Sequence, residues 1–151
     1  MADRYFYDFK IGERFESASL EVGESDITAF ASSFDPQPWH LDRQAAAASP
    51  FKGIVASGWH TTAITMRLVV DSGVLKATGV LGTGIDELRW VRPVRPGDVL
   101  HVTGEIVALE PPRSGRSAGT MRVRLETADQ LGEIAMSMIA ILRIPVRPRN
   151  E

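Results

Sequence analysis

The chain has 151 residues, 44% hydrophobic and 24% charged, with a net charge of −2 and no cysteine. That is enough for one domain with a respectable core, and it rules out disulfides, thiolate metal sites and a cysteine nucleophile. The near-neutral charge gives no case for general nucleic-acid binding, and no apolar run approaches the roughly 18–20 residues of a membrane span. The start, Met1-Ala2-Asp3-Arg4-Tyr5, lacks a basic segment feeding an apolar one, so no secretory signal is expected and the cytoplasm is the expected compartment.

In chain order, Ser17-Ala18-Ser19-Leu20-Glu21-Val22 reads as a short first strand, and a helix runs from near Ser25 to about Ser33. Phe34-Asp35-Pro36-Gln37-Pro38-Trp39-His40-Leu41-Asp42 follows. Asp35 and Gln37 each precede a proline, which pushes them to extended geometry and predicts a stiff loop rather than a continued helix. That loop carries a carboxylate and an imidazole five positions apart, two groups that can be held around one water for acid–base work. Asp before Pro is also an ordinary turn starter, so spacing alone does not decide. Asp42-Arg43-Gln44-Ala45-Ala46-Ala47-Ala48 predicts a second helix, with Asp42 as its cap and Pro50 as its stop.

Ser57-Gly58 then opens a long helix to about Leu75, with Ser57 as N-cap. Trp59, Ala63, Met66, Val70 and Val74 recur at steps of three or four, which predicts one buried face. Gly58 admits close approach to a helix start whose free N–H groups suit an anion or a polarised carbonyl oxygen. His60 falls about 200° around the helix from Gly58, at ~100° per residue, which favours packing or an interface over catalysis. Beyond Gly79 the period becomes two: a strand runs from Val99 toward Leu109 with His101 at its surface, Met121–Thr127 alternates apolar against charged, and Ile134–Ile144 is apolar enough to be central. Pro93, Pro96-Gly97, Pro111-Pro112, Ser114-Gly115 and Gln130-Leu131-Gly132 punctuate these as turns. Helices first and antiparallel strands afterwards imply an α+β fold over residues 1–151, without a linker that would divide it.

The Asp-x-x-Pro-x-His pattern of Asp35 to His40, followed by the apolar-Gly helix start at Gly58, resembles the MaoC-like dehydratases and their relatives, the R-specific enoyl-CoA hydratases. Tyr5–Phe15, Val22–Ala31 and Trp90–Leu100 extend the resemblance over nearly the whole chain. It implies a hotdog fold, a curved sheet around the long helix, and a homodimer or dimer-based oligomer. It implies Asp35 and His40 as the catalytic pair, with the Gly58 N–H polarising a thioester carbonyl. The activity implied is reversible hydration of a trans-2-enoyl thioester to an R-3-hydroxyacyl thioester in fatty acid metabolism, the acyl group carried on coenzyme A or on an acyl carrier protein. No metal or cofactor is called for beyond coenzyme A within the substrate. The chain departs from many family members in having Gln37 for Asn and Ser57 for a His before the glycine.

The remaining candidates carry structural alternatives. Trp39 and Trp59 are candidate walls of an acyl pocket, while Trp90 reads as core. Ser57 is a substrate contact or simply a cap. Residues 76–151 carry eleven Lys/Arg against nine Asp/Glu, and nearly all these cations are arginine. Arg113 and Arg116, on a Pro/Gly-rich loop, are candidate contacts for coenzyme A phosphates. Two rival functions remain open: a thioesterase on the same fold, and a non-catalytic acyl-thioester-binding module.

Overall fold

A computed structural model describes residues 3–76 and 79–149. A 3-10 turn at Phe6–Asp8 precedes strands β1 (Arg14–Glu16) and β2 (Leu20–Glu21) and helices α1 (Glu24–Phe34), α2 (Pro38–Leu41), α3 (Arg43–Ala48) and α4 (Gly58–Ser72). Strands β3 (Leu81–Trp90), β4 (Val99–Glu110), β5 (Ala118–Ala128) and β6 (Ile134–Pro145) follow. All pairings are antiparallel, in the order β1-β4-β5-β6-β3 with β2 also on β4. The α+β arrangement is the one expected, and β6 lies inside the sheet between β5 and β3, as its apolar run requires.

The first strand differs from expectation. Of the strand expected over Ser17–Val22 only Leu20–Glu21 forms, and β1 precedes it at Arg14–Glu16; between them Ser17 donates its N–H to Val102 O and its hydroxyl accepts the Val102 N–H, both at 2.8 Å. From Glu16 to Leu20 is four steps, whereas their partners Thr103 and Leu100 are three apart, so the extra residue is absorbed as a bulge. The acid–base segment also differs: Pro38 takes the first helical position of α2, where its missing N–H costs nothing, and His40 therefore sits on a helical turn. Helix α4 stops at Ser72 because Gly73 adopts a left-handed φ of 71° as its C-cap.

The largest departure concerns the face of α4. The apolar stripe faces outward, with Trp59 57%, Met66 62% and Val70 67% exposed. The buried face is His60, Thr61, Ile64, Thr65, Leu68 and Val69, laid on the inner side of the sheet. Threonine hydroxyls are tolerated there because they bond within the layer: Thr65 Oγ1 donates to Thr61 O and meets Thr127 Oγ1 of β5 at 2.6 Å. Hydrophobic spacing thus located the helix but inverted its orientation. Around this layer Ile27, Leu100, Val102, Ile106, Met121 and Met136 form the centre of the core.

Candidate active site

Asp35 caps the end of α1, its N–H bonded to Ala31 O, and the two prolines turn the chain directly into α2. One helical turn later His40 is buried, while its ring reaches back toward the carboxylate. Segment 54–56 clamps it in place: His40 Nδ1 meets Val55 O at 2.6 Å, Val55 N–H donates to Trp39 O, and Ala56 N–H donates to Val94 O. A carbonyl oxygen only accepts, so Nδ1 carries the hydrogen and Nε2 is the nitrogen left to exchange a proton. Nε2 stands 3.4 Å from Asp35 Oδ2.

Asp35 is held ionised. The Ser57 hydroxyl is the largest cause pulling its pKa below the usual carboxylate value, followed by the Gln37 amide and His40, with burial opposing. Gln37 Nε2 donates to Oδ1 at 2.6 Å, leaving Oδ2 toward the imidazole. Whenever Nε2 is without its hydrogen, it and the carboxylate offer two acceptors that one water can bridge by donating a hydrogen to each.

Ser57 is fully buried, and its oxygen accepts the Trp59 N–H at 3.2 Å as the α4 cap. Its hydroxyl serves both Asp35 and the helix start, and its burial keeps it from the cleft surface. Gly58 follows at the first helical position, where the N–H has no intrahelical acceptor. The glycine is required by Trp90, since a Cβ there would lie 2.5 Å from the indole ring. Trp90 is thus no core residue; at 46% exposure it leans on α4, donating from Nε1 to Thr62 Oγ1, with Trp59 edge-on at 5.1 Å.

These residues share one cleft of about 390 Å³. Asp35, Gln37, His40 and Gly58 line it, with Trp39, Phe51, Trp59 and Trp90 as aromatic walls and Arg92 at its side. Arg113 and Arg116 lie elsewhere, in the β4–β5 turn at the Pro145 end of β6, whereas the cleft is at the Ala135 end. The length of β6 separates the two, roughly 35 Å at ~3.3 Å per residue. His101 lies on the sheet, 3.7 Å from Glu16, and Asp42 caps α3 through Gln44 and Ala45 N–H groups. Phe51 and Arg92 carry no sequence signal of their own; the chain folds them to the cleft through turns. Gln37 stood out only as a departure, although an amide two residues beyond an Asp in a Pro-rich loop is well placed to bond it. Among the described residues no cluster of three or more His, Asp or Glu is arranged to hold a metal, and no helix is long and apolar enough to cross a membrane.

Such a carboxylate–imidazole pair beside a helix start, under a long helix packed on an antiparallel sheet, defines the class: the chain belongs to the family described as MaoC like domain, which matches residues 8–129. It is similar to the crystal structure of the MaoC-like dehydratase from Rhodospirillum rubrum, with a TM-score of 0.91 and 44% identity over 97% of this chain and 99% of that one. It is 36% identical to the uncharacterized protein YdeM of Bacillus subtilis over 82% of this chain and 86% of that protein. It is 31% identical to the 3-hydroxybutyryl-CoA dehydratase of Methylorubrum extorquens over 93% and 84% of the two chains. The sheet and its helices are those of the hotdog fold of these neighbours, and the relatives with named activities place the chain among hydratase- and dehydratase-type enzymes.

Proposed function

We propose that the protein reversibly adds water across a trans-2-enoyl thioester, with coenzyme A as carrier, to give a 3-hydroxyacyl thioester of R configuration, the hand implied by the family resemblance. The observation that carries the reading is the Asp35 carboxylate beside His40 Nε2, both lining the same cleft as Gly58. The thioester oxygen rests against the Gly58 N–H, where the contact strengthens as charge builds in the enolate-like transition state. Asp35 and His40 Nε2 each accept a hydrogen of the water, leaving its oxygen lone pair to attack C3. Asp35, held ionised, orients the water and steadies the imidazolium, while Nε2 takes the water's proton and delivers it to C2. The proton balance closes within the pair, so the step needs no metal or other cofactor.

The active unit we propose is a homodimer. The outward stripe of α4 lies exposed, and among the described residues β3 pairs only with β6, so its other edge is open, with Leu81 59% and Ile85 45% exposed. Apolar surface of this extent beside an open strand edge suits a second copy of the chain. The test of the reaction is purified protein with crotonyl-CoA, following loss of the enoyl absorbance and release of free thiol together. Enoyl loss without thiol supports hydration; thiol release at the same rate would replace it with thioester hydrolysis.

A further inference from the structure

Two cations beside the cleft have no carboxylate partner among the described residues: Lys52, on the turn after α3, and Arg95, in the β3–β4 connection. After α3 the chain turns through Ser49–Gly53, with the Lys52 N–H bonded to Ser49 O and the Phe51 N–H to Ser49 Oγ. Lys52 holds a φ of 58°, the left-handed region that glycine adopts freely and a lysine side chain disfavours. Arg95, from the β3–β4 connection, reaches across: Nη2 donates to Phe51 O at 2.7 Å, and Nη1 lies 3.4 Å from where a Cβ on Gly53 would stand. The guanidinium therefore rests on the residues flanking Lys52. Neither side chain pairs with a carboxylate among the described residues; Arg95 touches a neutral carbonyl, and Asp98 is occupied by the Arg95 backbone N–H and Gln130.

The turn connects to the reacting groups through rings. Phe51 lines the cleft and packs on Trp39 at 6.1 Å, and Trp39 meets the His40 ring at 6.1 Å. Lys52 and Arg95 follow directly in the chain on Phe51 and Val94, two residues that line the cleft. Arg92, on the same cleft, is already paired with Glu133. The unpaired fork of Arg95 and the point charge of Lys52 suit phosphate oxygens.

We propose that Lys52 and Arg95 form the anion site that takes the phosphate groups of a phosphopantetheine-bearing carrier, with the strained turn holding both cations beside the cleft. The inference rests on the hydratase reading for the identity of the thioester. Steady-state turnover of crotonyl-CoA and of crotonyl-pantetheine, which lacks the phosphates, by wild type, Lys52→Gly, Lys52→Arg and Arg95→Gln tests it. Lys52→Gly suits the backbone at that position, so misfolding does not confound it. The expected result is a KM for crotonyl-CoA raised about tenfold by Lys52→Gly, the loss of one charge-assisted contact, with crotonyl-pantetheine and kcat unchanged and Lys52→Arg restoring affinity. The same comparison with a crotonyl-acyl carrier protein shows which carrier supplies the phosphate. A crotonyl-CoA KM indifferent to Lys52→Gly and Arg95→Gln overturns the proposal, as does an equal rise for both small thioesters. Calorimetric titration with free coenzyme A separates this from the reaction itself. Were the wild type inert toward crotonyl thioesters, binding that Lys52→Gly weakens would still support the site, and binding that it leaves unchanged would refute it.

Discussion

At the scale of single residues, Ser57 connects two parts of the chemistry. One buried hydroxyl caps α4 ahead of Gly58 and is also the largest cause of the low Asp35 pKa. Replacing it with alanine removes a helix cap, a loss of about 1 kcal/mol in stability. It also removes a hydrogen bond to the ionised carboxylate, so Asp35 ionises at higher pH. The sign follows: a carboxylate whose folded pKa is depressed contributes above its unfolded value and loses that contribution as pH falls through the folded one. Ser57→Ala is therefore expected to move the acid limb of the kcat/KM profile upward in pH, while a role confined to capping would lower stability and leave that limb in place. Ser57→Thr, which keeps the hydroxyl, is expected to restore the wild-type profile.

Helices α1 and α4 meet through a stacked pair, Phe30 on His60, 4.7 Å apart and nearly parallel. His60 is buried with its Nδ1 unpartnered, and burial lowers its pKa against the opposing pull of Asp26. The unfolded chain takes up a proton as pH drops through about 6.5, and the folded ring resists it. Stability is thus expected to fall over that range and to be insensitive to this group above it. Urea midpoints at pH 8 and pH 5.5 should differ more for wild type than for His60→Gln; equal differences would remove His60 from the account. Elements of this kind were legible where local rules act alone. The Ser57 cap, the Asp42 cap and the alternation of β4 and β5 follow from neighbours in sequence, and the structure has them. The orientation of α4 was not legible, because periodicity locates an apolar stripe without saying what covers it. Trp90 was misread for a related reason: a large aromatic ring at a strand end looks like core until Gly58, 32 positions earlier, is known to lie beneath it. The site pair itself was readable from Asp35 to His40, but Val55 O, which fixes the imidazole tautomer, acts through its backbone and leaves no signal in residue identity.

For the whole molecule, the exposed stripe and the free β3 edge carry the proposed dimer. Substituting a charge into the middle of the stripe, as in Met66→Glu, is expected to convert a dimer to a monomer in sedimentation analysis without unfolding it, since Met66 touches little within its own chain at 62% exposure. A wild-type protein that sediments as a monomer at micromolar concentration would contradict the proposal. The central claim is the division of labour between one carboxylate and one imidazole, and the rate of crotonyl-CoA hydration by Asp35→Asn, His40→Gln and the double variant tests it most directly. Groups that act as a unit are not additive, so each single change is expected to cost about 10²–10⁴ in kcat, with the double variant scarcely slower than either. Near wild-type hydration by either single variant, with the fold intact, would contradict it.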